Sequence, residues 1–292
     1  MDTMPNDILV EVTNRCNHAC IFCAHRKMHI KQGEIAPELL KRILQEAYAM
    51  GIRRVGVYTT GEMFLCKEIE THIRNAKEIG FSYIYSDTNG ALATKENMKR
   101  VLLAGLNSIK FSINAGTRET YKYIHGRDDF DIVLQNLIDC YSLKKELGLD
   151  FKLMVSYIIT SKSEEEMDSF QERIRPYIDE FVPHSVRTVL LQHPDDLSEL
   201  SPHRYEEYQP QIPCPMVFKR IHITYDGLLS ACCIDFNHDL ILADLKTMSL
   251  EDAWNSEKFH EFRKRHLSKD LAGTMCYNCV ANKYNPYSPL TV

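Results

Sequence analysis

An α/β architecture is what this sequence predicts: a partial (β/α)6 TIM barrel over residues 1–192, a linker over 193–213, and a small hairpin-plus-helix domain over 214–292. Three observations carry the prediction. Six short apolar runs alternate with segments of helical periodicity, an order that implies a parallel sheet with right-handed crossovers. No seventh and eighth repeat follows, so the barrel stays open on one side. Beyond residue 192 the chain turns polar and Pro-punctuated, which marks a boundary.

Taken in order, residues 7–13 read as the first strand and 37–50 as a helix. That helix has Pro37 in its first turn, a stripe of Leu40, Ile43, Leu44 and Ala47, and Gly51 as its stop. The second strand is 53–60, followed by a helix over 67–79 that Gly80 ends. Strand three is 82–85, then a helix over 95–104 closed by Gly105, and strand four is 108–113. A long helix over 131–147, strand five at 150–159, a helix over 163–178 and strand six at 185–192 complete the repeats. After the linker come Cys214, a strand at 220–225, the turn Asp226-Gly227 and a strand at 228–233. Asp-Gly between two alternating runs is a strong hairpin signal. A helix over 250–267 and the pair Cys276-x2-Cys279 close the domain.

Composition removes several functions. The chain has 292 residues, 44% hydrophobic and 26% charged, enough to bury a large core. No run approaches the roughly 18 apolar residues of a membrane span, and the first residues lack the parts of a signal peptide. A formal charge of -5 with no long basic run argues against a nucleic-acid partner. A cytoplasmic protein is expected, its cysteines serving as metal ligands and buried thiols instead of disulfides.

Cys16, Cys20 and Cys23 fall directly after the first strand. With 10 Cys in 292 residues, chance produces some C-x3-C-x2-C triplet only about 1% of the time. Three thiolates this close are metal ligands. Structural zinc usually closes with four, whereas an iron-sulfur cluster held by three Cys keeps a vacancy on its fourth iron. A zinc knuckle or a disulfide framework is the alternative reading.

The pattern C-x3-C-x-aromatic-C after a first strand, with Phe22 as the aromatic, resembles the signature of the radical S-adenosylmethionine (SAM) enzymes. The resemblance implies that Cys16, Cys20 and Cys23 hold a 4Fe-4S cluster whose open iron chelates SAM. It implies that one electron, from a donor such as flavodoxin or ferredoxin, cleaves SAM to a 5'-deoxyadenosyl radical that abstracts hydrogen from an unactivated C–H bond. It also implies the partial barrel, in which function collects at the carboxyl ends of the strands.

Polar motifs fall at those ends. Where the family usually carries Gly-Gly-Glu-Pro, strand two ends in Thr60-Gly61-Glu62-Met63, so the resemblance implies Gly61 and Glu62 as receivers of the SAM amino group. Asn89, after strand three, suits a ribose or carboxylate, though Asn89-Gly90 is also a good turn. Ser112 resembles the polar SAM contact that many members carry on strand four. Ser156 and Leu190 are pocket candidates on strands five and six. The loop His25-Arg26-Lys27-Met28-His29 would hold a phosphate or carboxylate, or else be an ordinary solvated loop. His18 reads as structural, and Cys66 and Cys140 as small buried hydrophobes.

Cys214, Cys232, Cys276 and Cys279 come together if the hairpin and helix fold onto each other, giving a closed site for zinc or a second 4Fe-4S cluster. The C-x12-G-x4-C spacing, Ala253-Trp254-Asn255 and the final C-x2-C resemble the SPASM/twitch auxiliary domain in its single-cluster form. Small twitch enzymes include dehydrogenases, one of which oxidises 2-deoxy-scyllo-inosamine. The implied function is hydrogen abstraction from a small polar substrate, with oxidation of a carbohydrate or cyclitol carbinol leading and the auxiliary cluster accepting the second electron. Epimerisation or peptide modification follows; about six residues precede strand one, where peptide-maturing members often carry a leader-binding domain. A zinc-binding module is the reading outside enzymes. Cys233 is the most informative spare residue: on an alternating strand it would face away from Cys232's site, either toward the barrel mouth as a hydrogen donor or as a buried thiol, unless Cys233 instead of Cys232 is the ligand.

Overall fold

A computed structural model describes residues 4–186, 200 and 213–280. Leu190, residues 187–192 of the expected sixth strand and most of the linker lie outside the described residues. One nine-stranded sheet organises the chain, in the order β6-β5-β4-β3-β2-β1-β7-β8-β9. The strands β1 (Asp7–Val10), β2 (Arg54–Gly56), β3 (Tyr83–Thr88), β4 (Ser108–Ser112), β5 (Lys152–Ile159) and β6 (Glu180–Ser185) are parallel, each pairing with the next. This is the partial barrel.

The helices α1 (Pro37–Ala49), α2 (Ile69–Ile79), α3 (Lys95–Ala104), α4 (Arg118–His125), α5 (Phe130–Leu147) and α6 (Met167–Ile174) connect the strands. The α1 stripe of Leu40, Ile43, Leu44 and Ala47 is buried, as its spacing predicts. Truncating one of its leucines to Ala removes about 2–5 kcal/mol. Gly80 and Gly105 end α2 and α3 in the left-handed conformation.

Several boundaries differ from the sequence reading. The first two strands are shorter, and strand three runs on through Ser86, Asp87 and Thr88. Among the described residues, strand six is Glu180–Ser185, beginning before the expected start at 185. It carries Pro183, tolerated because β6 is the sheet's edge, where strand prolines are confined. Helix α4 was not foreseen. The helix expected over 250–267 is broken into α8 (Leu250–Trp254) and α9 (Glu257–Ser268), because Ser256 caps a new start by accepting from Phe259 N at 3.3 Å.

The C-terminal hairpin extends the barrel sheet. After α7 (Met216–Lys219), strand β7 (Arg220–Ile223) pairs parallel with β1, setting Asp7 opposite Arg220 and Leu9 opposite His222. Strands β8 (Leu228–Ser230) and β9 (Ile241–Asp244) add antiparallel, and α10 (Met275–Val280) follows α9. Arg220 pairs with Asp7 at 2.5 Å, and Tyr85 Oη donates to the same carboxylate at 2.7 Å. Lys110 pairs with Asp87 at 3.0 Å. These strands therefore carry charged groups on one face and, through Ile8, Val10, Ile221 and Ile223, pack apolar residues on the other.

Candidate functional site

Cys16, Cys20 and Cys23 lie in the loop that follows β1, half-buried and with free thiols. Two straps shape that loop. Thr13 Oγ1 donates to Gly33 O at 2.6 Å, while Asn14 donates to Lys31 O and accepts from Gly33 N, both at 2.8 Å, closing its base. Its middle is held by Ala19 N and Ile21 N, which donate to His125 O at 3.1 Å and Ile124 O at 2.9 Å. Those carbonyls lie in the last turn of α4, where the helix leaves acceptors free. The three sulfurs feel one another. Burial pushes the Cys20 thiol well up, with Cys23 and Cys16 adding to it, and burial takes Cys16 up to about 11. Thiols in such a group ionise only against a cationic partner, and an all-sulfur donor set suits an iron-sulfur cluster or zinc.

The strand ends are buckled to this loop. A Cβ on Gly61 would lie 2.3 Å from Thr13 O and 2.6 Å from Arg15 O, so only glycine permits this approach, which Glu62 N→Arg15 O at 2.8 Å completes. Glu62 is buried and accepts from Thr88 Oγ1 and Asn89 N, each at 2.7 Å, and from Phe64 N at 3.2 Å. Burial outweighs those hydrogen bonds and pushes its carboxyl up to about 7. Asn89 Nδ2 donates to Asn17 Oδ1 at 2.7 Å and lies 3.9 Å from Cys16 Sγ, tying β3 to the cysteine loop. Ser112 Oγ is 3.4 Å from Ser156 Oγ, across the β4–β5 pair. Phe22 is buried in the hydrophobic core. In the basic loop, His25 Nε2 lies 2.7 Å from Asn14 O, while Arg26, Lys27 and His29 are exposed. Cys66 and Cys140 are buried.

The second cysteine group gathers from separate elements: Cys214 before α7, Cys232 and Cys233 after β8, and Cys276 and Cys279 on α10. Burial first, then Cys279 and Cys233, pushes the Cys214 thiol up to about 12; burial, then Cys214 and Cys279, does the same to Cys276. The alternation expected of Cys232 and Cys233 does not hold. The ladder is irregular at Leu229/Ser230 and β8 ends at Ser230, because the Asp235 carboxylate accepts from Ser230 Oγ, Asp239 N and Leu240 N at 2.8–2.9 Å and turns the chain. Beyond a strand's end side chains no longer alternate, and the hydrogen bond that the Cys232 thiol donates to Cys233 is the first cause of its raised pKa. Cys233 also stands within electrostatic reach of Tyr58 and Asp87 on the barrel's charged face.

Between β1, β2 and the hairpin lies a narrow cleft of about 10 Å³, room for a single water, lined among others by Glu11, Thr59, Thr60, His222 and Cys233. Glu11 accepts from Thr60 Oγ1 and from Tyr225 N, and burial raises its carboxyl. Both ring nitrogens of His222 and the Thr59 hydroxyl are buried without a hydrogen-bond partner among the described residues. Sequence reasoning missed His222, Asn17 and His125. His222 and His125 reach the cleft and Cys20 only through strand and helix packing, whereas Asn17, next to Cys16 in the chain, is marked only by its bond to Asn89 at the end of β3.

Comparison with known proteins gives two family matches: the radical SAM superfamily over residues 10–174, and an iron-sulfur cluster-binding domain over residues 214–280. A probable GTP 3',8-cyclase of Saccharolobus solfataricus is 26% identical over 225 residues, 74% of this chain and 68% of that protein. Among solved structures, BtrN in complex with AdoMet and 2-DOIA superposes with a TM-score of 0.62 at 17% identity, covering 97% of this chain and 94% of that one. Streptococcus suis SuiB bound to precursor peptide SuiA gives 0.69 at 15% identity, covering 89% of this chain and 67% of that one. At such identities these structural likenesses speak for the fold.

Proposed function

Because the chain belongs to the radical SAM superfamily, with SAM and 4Fe-4S clusters as its cofactors, we propose that it abstracts hydrogen from a small polar substrate and oxidises a carbohydrate or cyclitol carbinol. When bound, the cofactors supply a 5'-deoxyadenosyl radical and an electron acceptor. Cys16, Cys20 and Cys23 hold the first cluster. Gly61 and Glu62, with Asn89, Ser112 and Phe22, are the residues offered to SAM. Cys214, Cys232, Cys276 and Cys279 hold the second cluster, and residues 193–213 link the two halves.

The observation that carries this reading is the position of the second cysteine group. Cys232 and Cys233 line one cleft together with Glu11, Thr59, Thr60 and His222, so an electron acceptor held by that group would adjoin the polar face on which a hydroxylated substrate would sit. Removing a carbinol hydrogen leaves a radical that loses one proton and one electron to become a carbonyl, and the adjoining Glu11 and His222 are proton acceptors of suitable chemistry. Flavodoxin or ferredoxin supplies the first electron. Thiol-rich sites suit the reducing cytoplasm; no described helix is long and apolar enough to cross a membrane.

Epimerisation is the second reading, favoured by the same placement of Cys233, which would return hydrogen to the opposite face of the substrate radical. Product mass separates the two. Reconstituted protein carrying about eight irons is incubated with SAM, reductant and a panel of cyclitols, aminocyclitols, sugars and GTP. The last is included because the curated relatives bear the name GTP 3',8-cyclase. Oxidation gives a product lighter by two hydrogens and moves deuterium from the carbinol carbon into 5'-deoxyadenosine. A product of unchanged mass, with solvent hydrogen incorporated and dependent on Cys233, defeats the oxidation reading.

A further inference from the structure

Helix α4 sets His125 against Cys20, and the hydrogen bonds around that imidazole decide which nitrogen carries its proton. Asn114 Oδ1 accepts from Ile158 N at 2.8 Å, so the amide's Nδ2 end is turned toward His125 Nε2, 3.2 Å away. The Asn114 backbone N–H donates to the same nitrogen at 3.4 Å. Two donors converging on Nε2 require its lone pair, and the proton sits on Nδ1.

That N–H faces two acceptors: Cys20 Sγ at 3.5 Å and His18 Nδ1 at 3.2 Å. His18 Nε2 lies 3.4 Å from Asp129 Oδ2, outside hydrogen-bond geometry, and the carboxylate's charge favours the His18 proton on that side, leaving Nδ1 to accept. The imidazole is held in place. Its ring stacks on Tyr121 with centroids 4.0 Å apart and an 11° interplanar angle, and it is 1% exposed.

We propose that His125 is a positioning residue that donates an N–H···S hydrogen bond to the Cys20 thiolate and so raises the reduction potential of the cluster held there, while His18 competes for the same proton and moderates the effect. The inference rests on the reading of Cys20 as a cluster ligand. Its physical basis is that an added electron spreads over the cluster's sulfurs, so a donor aimed at one of them stabilises the reduced state more than the oxidised one. The device eases the one-electron reduction on which SAM cleavage depends.

The test is a redox titration of the reconstituted full-length protein, followed by electron paramagnetic resonance on the signal that changes when SAM is added. His125→Phe keeps the stacking and removes the donor. At the wild-type midpoint its reduced-to-oxidised ratio is expected to fall about tenfold, equivalent to about 59 mV for a one-electron couple. His125→Asn, whose amide reaches the place of Nδ1, recovers most of that loss. His18→Phe releases the proton wholly to Cys20 and shifts the ratio upward. A merely structural role would move all three variants the same way. An unchanged ratio in His125→Phe at full iron content overturns the inference. If that variant takes up no iron, the sign in His18→Phe decides, and a ratio unchanged or lowered overturns it. If Cys20→Ala retains the SAM-responsive signal, the ligand assignment itself has failed, an outcome distinct from any result with the histidine variants.

Discussion

The first cysteine group comes from residues 16, 20 and 23; the second gathers residues 214, 232, 233, 276 and 279. The first is close in sequence, yet almost everything that shapes it comes from afar: the last turn of α4, the end of β3 and the turn at Gly61. The second is scattered in sequence, yet sits on short neighbouring elements held by local caps such as those of Asp235 and Ser256. A compact motif therefore needs a large scaffold to aim it, while a dispersed one needs the chain to fold before it exists.

Cysteine replacements should break the comparison most sharply. Cys20→Ala is expected to abolish release of 5'-deoxyadenosine. Paired Cys276→Ala and Cys279→Ala changes should leave that release standing and eliminate the oxidised product. Chromatography of one reaction mixture checks both, and equal loss from both variants would mean that the sites are not separable.

Next in size is the seam between the regions. Asp7 and Arg220 are 5% and 7% exposed in their side chains, and replacing Arg220 with Ala strands a buried carboxylate. A loss of about 3–5 kcal/mol in urea unfolding is expected.

The Glu62 buckle adds a pH signature to the first site. Its carboxyl is raised by burial from 4.5 to about 7, so the folded chain keeps a proton that the unfolded chain releases. Stability of the cluster-free protein should then fall as pH rises through the window from 4.5 to about 7. The fall is up to about 3 kcal/mol, and Glu62→Gln should flatten it in urea midpoints taken across the window. The smallest effect belongs to the second site. Ser256→Ala removes the cap of α9 and should cost about 1 kcal/mol, without lowering 5'-deoxyadenosine release.

Much of this could be read from residues alone. The triplet and the Gly-terminated helices α2 and α3 carry their chemistry locally, and the strand-helix alternation carried the barrel. Helix α4 escaped because its buried residues, Tyr121, Ile124 and His125, make no long apolar stripe. Only Thr117, accepting from Thr120 N, and the left-handed Gly126 mark its ends. The position of Cys233 escaped because a carboxylate five residues from Ser230 ends the strand early, and no periodicity announces that. Strand β6 begins earlier than the sequence reading placed it, and its Pro183 is tolerable only at an edge, a property of the whole sheet that no local pattern shows.

One ladder remains to be followed outward. Four residues of β7, Arg220 to Ile223, are in register with four of β1, Asp7 to Val10, and β1 leads straight into the cysteine triplet. The two redox stations are thus mounted on adjoining rails of a single hydrogen-bonded frame, instead of on bodies that drift apart. The distance a substrate must span between the two sites is therefore set by peptide geometry, and damage in the frame should disturb product formation as readily as damage at either site.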